Sequence, residues 1–160
     1  MNSWDIGADV AGYVWKSPNP KAQVLLQHGY GEYAERYVDQ YSNLIPKLNQ
    51  NGFDVYAIDL PGHGNTKGER GLVDLTKAVE LHLLARTKMP AGVPTILFGH
   101  SLGGLITAAS ITRDRANVVA VVLSSSAMQA PSKRWERVLG KLSAALSLIH
   151  ISEPTRLRRI

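Results

Sequence analysis

The sequence predicts an α/β fold in which a mostly parallel sheet carries helices on both faces, and three observations support it. Short apolar segments alternate along the chain with longer segments of helical periodicity. Residues 95–98 and 118–123 are continuously apolar, as is typical of parallel strands buried on both faces. Turns rich in glycine and proline separate these segments. Because strands joined by helices need crossover connections, the sheet is expected to be largely parallel.

The first part of the chain provides two predicted strands and a helix. Residues 10–15 alternate loosely and precede the turn Ser17-Pro-Asn-Pro20, so we interpret them as an early hairpin strand. Residues 22–26 form the second predicted strand. Apolar side chains then recur at helical spacing over residues 35–50, and Pro46 is expected to interrupt or kink that helix.

The remaining elements continue the alternation. They are, in order, a helix stop at Asn51-Gly52, a strand at 53–60, a loop at 61–71, a helix at 73–88, the strand at 95–98, a helix to about residue 113 and a strand at 118–124. Ligands of parallel sheets bind beyond the carboxyl ends of the strands. His28, Asp59 and Ser101 all fall at such ends, so we expect the functional site there.

Composition limits the class of protein. The 160 residues are 44% apolar and suffice for one globular domain with a core. No cysteine is present, which excludes disulfides and thiolate catalysis. The net charge of +5 comes from scattered basic residues with no aromatic-interleaved basic face, so no nucleic-acid binding is expected. Neither a signal peptide nor a membrane-spanning segment is recognisable, and the cytoplasm is the expected location.

The most informative pattern is Gly99-His-Ser-Leu-Gly103, with His100 directly before the serine. It lies between an apolar strand and a helix of small residues, the context in which Gly-x-Ser-x-Gly presents a nucleophilic serine. Ser101 needs a backbone conformation that side chains crowd, so Gly99 and Gly103 are expected to leave room for the turn. The following helix N-terminus favours developing negative charge.

Three blocks of sequence carry a family resemblance. They are His28-Gly-Tyr-Gly-Glu-Tyr-Ala-Glu-Arg-Tyr37, Asp59-Leu-Pro-Gly-His-Gly-Asn-Thr-Lys-Gly-Glu-Arg-Gly71 and Gly99-His-Ser-Leu-Gly-Gly104. In order and spacing they resemble the α/β-hydrolase superfamily, and within it the monoacylglycerol lipase and lysophospholipase branch of serine aminopeptidase S33-type hydrolases. The resemblance covers about residues 10–145 and implies the three-layer α/β-hydrolase fold.

The resemblance also implies roles at the site. Ser101 would be the nucleophile, and the backbone N–H groups of Leu102 and Tyr30 would form the oxyanion hole. Gly29 and Gly31 would let the loop that carries Tyr30 approach the substrate closely. The family usually has a small residue where Tyr30 stands, but the donor is a backbone group and its role should survive.

Other polar residues of these blocks are expected to support the site. His28 is expected to be a structural hydrogen-bonding group rather than the catalytic base, and His100 to point away from Ser101. Glu32 and Arg36 are expected to form an ion pair that fixes their loop, and Asp59 to anchor its own. The histidines have no carboxylate companions at ligand-like spacing, so neither a metal nor another cofactor is expected.

A complete triad is not recognisable in the sequence. In this fold the acid and then the base follow the serine. After Ser101 the only aspartate is Asp114, which comes too early, and the only histidine is His150, with no strand pattern before it. A whole hydrolase of this kind needs roughly 250 residues. We therefore expect an N-terminal portion, truncated before its last strands and inactive alone.

Three segments are predicted. Residues 1–130 form the N-terminal part of the hydrolase core, 131–146 begin a cap or lid helix, and 147–160 resemble the translation of a sequencing adapter and are interpreted as a non-native tail. The amphipathic segment 131–146 has three readings: a helix packed on the domain, a cover over an acyl chain, or a peripheral contact with a lipid surface.

The sequence therefore predicts a serine hydrolase that cleaves small-molecule carboxylic esters of monoacylglycerol or lysophospholipid type through an acyl-enzyme on Ser101. Two alternatives stay open. One is another chemistry on the same fold, such as that of a peptidase, thioesterase or haloperoxidase. The other is a non-catalytic fragment that binds a lipid or a partner.

Overall fold

A computed structural model describes residues 1–126, which contain one six-stranded sheet. Its strands are β1 (Asn2–Ser3), β2 (Gly12–Trp15), β3 (Ala22–Gln27), β4 (Phe53–Ile58), β5 (Thr95–His100) and β6 (Val118–Ser124). Their order across the sheet is β1-β2-β4-β3-β5-β6, with β3 to β6 parallel and β1 and β2 antiparallel. The predicted mostly parallel sheet is confirmed.

Helices cover both faces of this sheet. They are α1 (Arg36–Asp39), α2 (Leu44–Gln50), α3 (Leu75–Thr87) and α4 (Leu102–Arg113). Tyr37 of α1 and Ile45 of α2 pack in the cluster that contains Leu26 of β3, on one face. On the other face, Leu81 of α3 packs in the cluster that contains Leu25. Because successive strand residues point to opposite faces, β3 is buried throughout.

Strand β2 pairs antiparallel with β1, its neighbour in sequence, but it forms no hairpin across the turn at Ser17-Pro-Asn-Pro20. It runs antiparallel to β4, with Gly12 opposite Ile58, and does not pair with β3. Both edges of β3 are already occupied by the parallel strands β4 and β5. The turn at Ser17-Pro-Asn-Pro20 therefore carries the chain past β4 and not back along its own strand.

The helix predicted over residues 35–50 is broken before its proline. A 3₁₀ turn at Tyr41–Asn43 separates α1 from α2. Pro46 is the third residue of α2, where a missing N–H costs no helical hydrogen bond. In a continuous helix its ring would collide with the carbonyl of Ser42, four residues earlier. The chain therefore leaves the right-handed helix there, and Ser42 has a φ of 61°.

Strand β6 is not buried on both faces as predicted. Within residues 1–126 it pairs with β5 alone and forms one edge of the sheet. Its five central residues are exposed, with Val119 at 64% and Val122 at 45%. Continuous apolar sequence predicted the strand itself correctly but not its place at the edge.

The predicted cap segment 131–146, the predicted tail 147–160 and His150 lie outside the described residues. Within residues 1–126, no helix has both the length and the apolar character needed to cross a bilayer.

His82 of α3 is a titratable group in the core. It is fully buried, and neither ring nitrogen has a hydrogen-bond partner within residues 1–126. Burial, and to a smaller extent the charge of Arg86, lower its pKa to about 3. The folded chain therefore keeps this ring neutral, whereas a histidine of the unfolded chain titrates near pH 6.5.

We expect acid to destabilise the fold through His82. Below about pH 6.5 the unfolded state binds a proton that the folded state does not. The free energy of unfolding therefore decreases as the pH is lowered. One such group contributes a loss on the order of 2 kcal/mol between pH 6.5 and 5. Urea denaturation across this range should show that the free energy of unfolding decreases less steeply with falling pH for His82→Leu than for the unsubstituted chain. Equal pH dependence in the two chains would contradict the prediction.

We also expect the exposed apolar edge to cause self-association. Unpaired strand edges bearing apolar side chains template pairing with other chains. Val119→Lys should therefore raise the monomer fraction in sedimentation velocity at a given concentration. Gln50→Lys, which adds the same charge to an exposed position on α2, is the matched control. An equal effect of both substitutions would assign the change to net charge and not to β6.

Candidate active site

Ser101 occupies a strained turn between β5 and α4. Its φ of 51° and ψ of −117° are unusual for a residue with a side chain, and such conformations cost about 1–3 kcal/mol. The turn is fixed on both sides: the Ser101 N–H donates to the Ser124 carbonyl at 2.9 Å, and the Ser101 carbonyl accepts from the Gly104 N–H at 3.0 Å. The serine thus stands at the carboxyl end of a central strand.

Gly99 and Gly103 are required by close packing. A Cβ at Gly99 would lie 2.4 Å from the Gly103 carbonyl oxygen and 2.5 Å from Thr107 Oγ1. A Cβ at Gly103 would lie 2.2 Å from the carbonyl oxygen of Gln27 in β3. The two glycines therefore let α4 approach the sheet closely enough to start directly after Ser101.

The two expected oxyanion donors are backbone groups beside this turn. Leu102 is the first residue of α4, and Tyr30 follows β3 in the loop at residues 28–32. Within residues 1–126 neither N–H donates to a carbonyl or side-chain acceptor. The loop lies against Ser101, because a Cβ at Gly29 would be 3.2 Å from the Cβ of Ser101. Gly31 has a φ of 71°, which glycine adopts without strain.

The carboxylate of Glu32 holds this loop from inside. It accepts hydrogen bonds from the Gly29 N–H at 2.9 Å, from the Tyr37 hydroxyl at 2.7 Å and from the Tyr41 hydroxyl. Burial raises the pKa of Glu32, but the hydrogen bonds from Tyr41, Tyr37 and Gly29 outweigh burial and leave the pKa lowered. The carboxylate is therefore charged at neutral pH.

The expected ion pair between Glu32 and Arg36 is wrong. The Arg36 guanidinium donates to the side-chain oxygen of Gln40 at 2.9 Å and lies over the rings of Tyr33 and Tyr41. Tyrosine hydroxyls take its place at the carboxylate. They suit this site because Glu32 is only 8% exposed, and a neutral donor needs less desolvation than a guanidinium.

Tyr30 connects the loop at 28–32 to the loop at 61–71. Its hydroxyl donates to the Gly71 carbonyl at 2.8 Å. Its ring meets the ring of His63 edge-on, with centroids 5.7 Å apart. The side chain is thus held by the neighbouring loop while the backbone of residue 30 stays beside Ser101.

His28 is a buried hydrogen-bonding group. Its Nε2 accepts from the Leu60 N–H at 3.0 Å, which leaves the proton on Nδ1 to donate to the Gly29 carbonyl at 2.7 Å. Burial lowers its pKa, so the ring stays neutral. Asp59 lies nearby and accepts from the N–H groups of Ala34 and Asn65, and so ties the two loops together.

His100 points away from Ser101. Its Nδ1 lies 3.3 Å from Ser124 Oγ, and its Nε2 lies 3.7 Å from Glu32 Oε1. The other described histidines bind backbone groups or lie in the core. Asp114, at the far end of α4, forms an ion pair with Arg86. Within residues 1–126, therefore, no histidine bonds to the Ser101 hydroxyl to act as its base.

Two supporting residues were missed by sequence reasoning. The hydroxyl groups of Tyr37 and Tyr41 bind Glu32, whereas the helical spacing over residues 35–50 predicts only apolar contacts for these side chains. The available signal was two tyrosines, five and nine positions after a buried glutamate. A tyrosine on an apolar face commonly has a partner for its hydroxyl.

Comparisons with known proteins show what this chain is similar to. Residues 18–157 match the family described as serine aminopeptidase, S33. The monoacylglycerol lipase of Mycolicibacterium smegmatis is 34% identical over 152 residues, which cover 88% of this chain and 52% of that protein. A phospholipase of Bacillus subtilis is 30% identical over 71% of this chain and 43% of its own length.

Solved structures show the same fold. The monoacylglycerol lipase of Paleococcus ferrophilus superposes with a TM-score of 0.66 at 31% identity, covering 88% of this chain and 52% of that one. The chain thus spans about half the length of the relatives it matches.

We expect Gly103→Ala to destabilise the fold far more than Gly31→Ala. The new Cβ at position 103 meets the Gln27 carbonyl oxygen and must displace α4, which costs about 3 kcal/mol. At position 31 nothing lies within 4 Å, so only the left-handed backbone is penalised, by about 1 kcal/mol. Urea denaturation measures both. A larger loss for Gly31→Ala would contradict the packing explanation.

Proposed function

The chain belongs to the serine aminopeptidase S33 family, and we propose that the protein it represents hydrolyses carboxylic esters of monoacylglycerol type through an acyl-enzyme on Ser101. The observation that carries the proposal is the strained turn at Ser101, flanked by the N–H groups of Leu102 and Tyr30, which have no acceptor within residues 1–126. A nucleophile next to two preorganised donors is what acyl transfer requires.

The proposed reaction has two steps. A general base removes the proton of the Ser101 hydroxyl while Oγ attacks the ester carbonyl, and the new oxyanion accepts hydrogen bonds from Leu102 and Tyr30. The glycerol alcohol leaves with a proton from the protonated base. Water then attacks the acyl-serine, the acid is released and Ser101 regains its proton. No cofactor takes part in such a reaction.

The base and the acid that orients it are proposed to lie beyond residues 1–126. Each described histidine is held away from Ser101. His150 is outside the described residues and follows the serine too closely in sequence for the family pattern. We therefore propose that this 160-residue chain does not turn over an ester on its own.

The substrate class is proposed from the relatives. Monoacylglycerol lipases match 88% of this chain at 31–34% identity, which favours a single acyl chain esterified to glycerol. The phospholipase relative favours a lysophospholipid as the second candidate. Both are single-chain acyl esters. The peripheral lipid contact expected for residues 131–146 stays a prediction.

A fluorophosphonate probe tests the nucleophile. The 160-residue chain should not react, whereas a chain extended from its source DNA should be labelled on Ser101. Ser101→Ala should abolish the label, and Ser125→Ala, at an exposed serine of the next strand end, should leave it unchanged. Labelling of the short chain would overturn the proposed inactivity. No labelling of the extended chain would overturn the hydrolase function.

Hydrolysis assays on the extended chain test the substrate. Release of fatty acid from a monoacylglycerol should exceed release from a lysophosphatidylcholine of the same acyl chain. The reverse order would favour the phospholipase alternative. Cleavage of an N-terminal residue from a peptide, with neither ester hydrolysed, would replace the proposal with peptidase activity.

A further inference from the structure

The turn at Tyr41–Asn43 is unusual among non-glycine segments. Tyr41, Ser42 and Asn43 have φ values of 47°, 61° and 54° in succession. L-residues visit this left-handed region as isolated residues and rarely in a row. Pro46 explains why the right-handed helix breaks here, but it does not require three left-handed residues.

The turn directs Tyr41 at the active-site loop. The Tyr41 hydroxyl donates to Glu32 Oε1, and the ring stacks on Tyr37 with centroids 4.7 Å apart. The ring of His100 lies 5.6 Å away on another side. The side chain is thus held by these three neighbours and by the Arg36 guanidinium over its ring, although the residue is 39% exposed.

Glu32 connects Tyr41 to the loop that packs against Ser101. Its other oxygen, Oε2, accepts from the Gly29 N–H at 2.9 Å. Gly29 is the residue that packs against the Cβ of Ser101, and it precedes Tyr30, whose N–H is the proposed oxyanion donor. Two hydrogen bonds, from Tyr41 to Glu32 and from Gly29 to Glu32, therefore connect Tyr41 to the backbone of the oxyanion hole.

We propose that Tyr41 is a positioning residue for the oxyanion hole: its hydroxyl fixes the Glu32 carboxylate, which in turn holds the Gly29–Tyr30 backbone against Ser101. The proposal rests on the proposed hydrolase function. It assigns Tyr41 no contact with substrate.

Removal of this hydroxyl should loosen the carboxylate. Without Tyr41, Oε1 of Glu32 keeps only His100 Nε2, at 3.7 Å, among residues 1–126. A hydrogen bond to a charged, nearly buried carboxylate is worth more than one between neutral groups. Because the Tyr37 hydroxyl still bonds Oε2, the Gly29 N–H would then lose its partner for only part of the time.

Amide hydrogen exchange on the 160-residue chain tests the structural half. Tyr41→Phe keeps the stacked ring and removes only the hydroxyl, and should speed exchange of the Gly29 amide about ten-fold relative to the amides of β4. Tyr33→Phe is the matched control, because the Tyr33 hydroxyl is not among the donors to Glu32 within residues 1–126. Equal exchange at Gly29 in the two variants would overturn the proposal.

A double-mutant cycle on the extended chain tests the catalytic half. Tyr41→Phe should lower kcat about ten-fold and leave KM nearly unchanged, since an oxyanion donor acts in the transition state. In a Glu32→Gln background the same substitution should have little further effect, because Tyr41 acts through Glu32. Additive losses would overturn the proposed route.

The two failures are distinguishable. If the unsubstituted extended chain does not hydrolyse esters, the proposed function is rejected, while the exchange measurement still decides whether Tyr41 holds the loop.

If Tyr41→Phe does not fold, 3-fluorotyrosine at position 41 replaces it as a probe. Burial and the bond to Glu32 raise the pKa of Tyr41, so the label should titrate above its pH in a short peptide. Titration at the peptide value would overturn the contact.

Discussion

Helix α4 lies so close to the sheet that no side chain fits between them at Gly99 and Gly103. This close approach determines the rest of the site. It forces the chain from strand to helix within one residue, and Ser101 takes the strained conformation that results. The first N–H of α4, like that of any helix, has no helical acceptor, and it follows the serine directly. One packing contact thus places Ser101 directly before the N-terminus of a helix.

A second constraint acts from the opposite side of the serine. The loop at residues 28–32 has no regular structure, and buried polar side chains define its shape. Glu32 gathers one amide and two hydroxyl groups, while Asp59 gathers amides from two loops. Both carboxylates are nearly fully buried. Such groups persist inside a protein only when their hydrogen bonds are made, so the loop has little freedom to adopt another shape.

Local patterns predicted what depends on local physics. Periodicity and apolar continuity gave α3, α4 and β6 nearly to the residue, and glycine spacing gave the turn at Ser101. The predictions that were wrong concern features that depend on residues distant in the sequence. Strand β2 pairs with β4 because β4 and β5 already occupy both edges of β3. The exposure of β6 depends on which other elements pack against it. Likewise, the tyrosines that follow Glu32 signal partners for their own hydroxyl groups, but their spacing does not show that Tyr41 and not Arg36 reaches the carboxylate, because that contact depends on the left-handed turn at Tyr41–Asn43.

The side chain and the backbone of Tyr30 contact different parts of the molecule. The N–H group stands beside Ser101, whereas the ring and hydroxyl belong to the neighbouring loop through His63 and Gly71. A substitution at position 30 therefore removes contacts with the neighbouring loop and keeps the backbone N–H group. Under the proposed function, a lineage can exchange this side chain and change how the two loops meet, while the group proposed to bind the oxyanion stays in place.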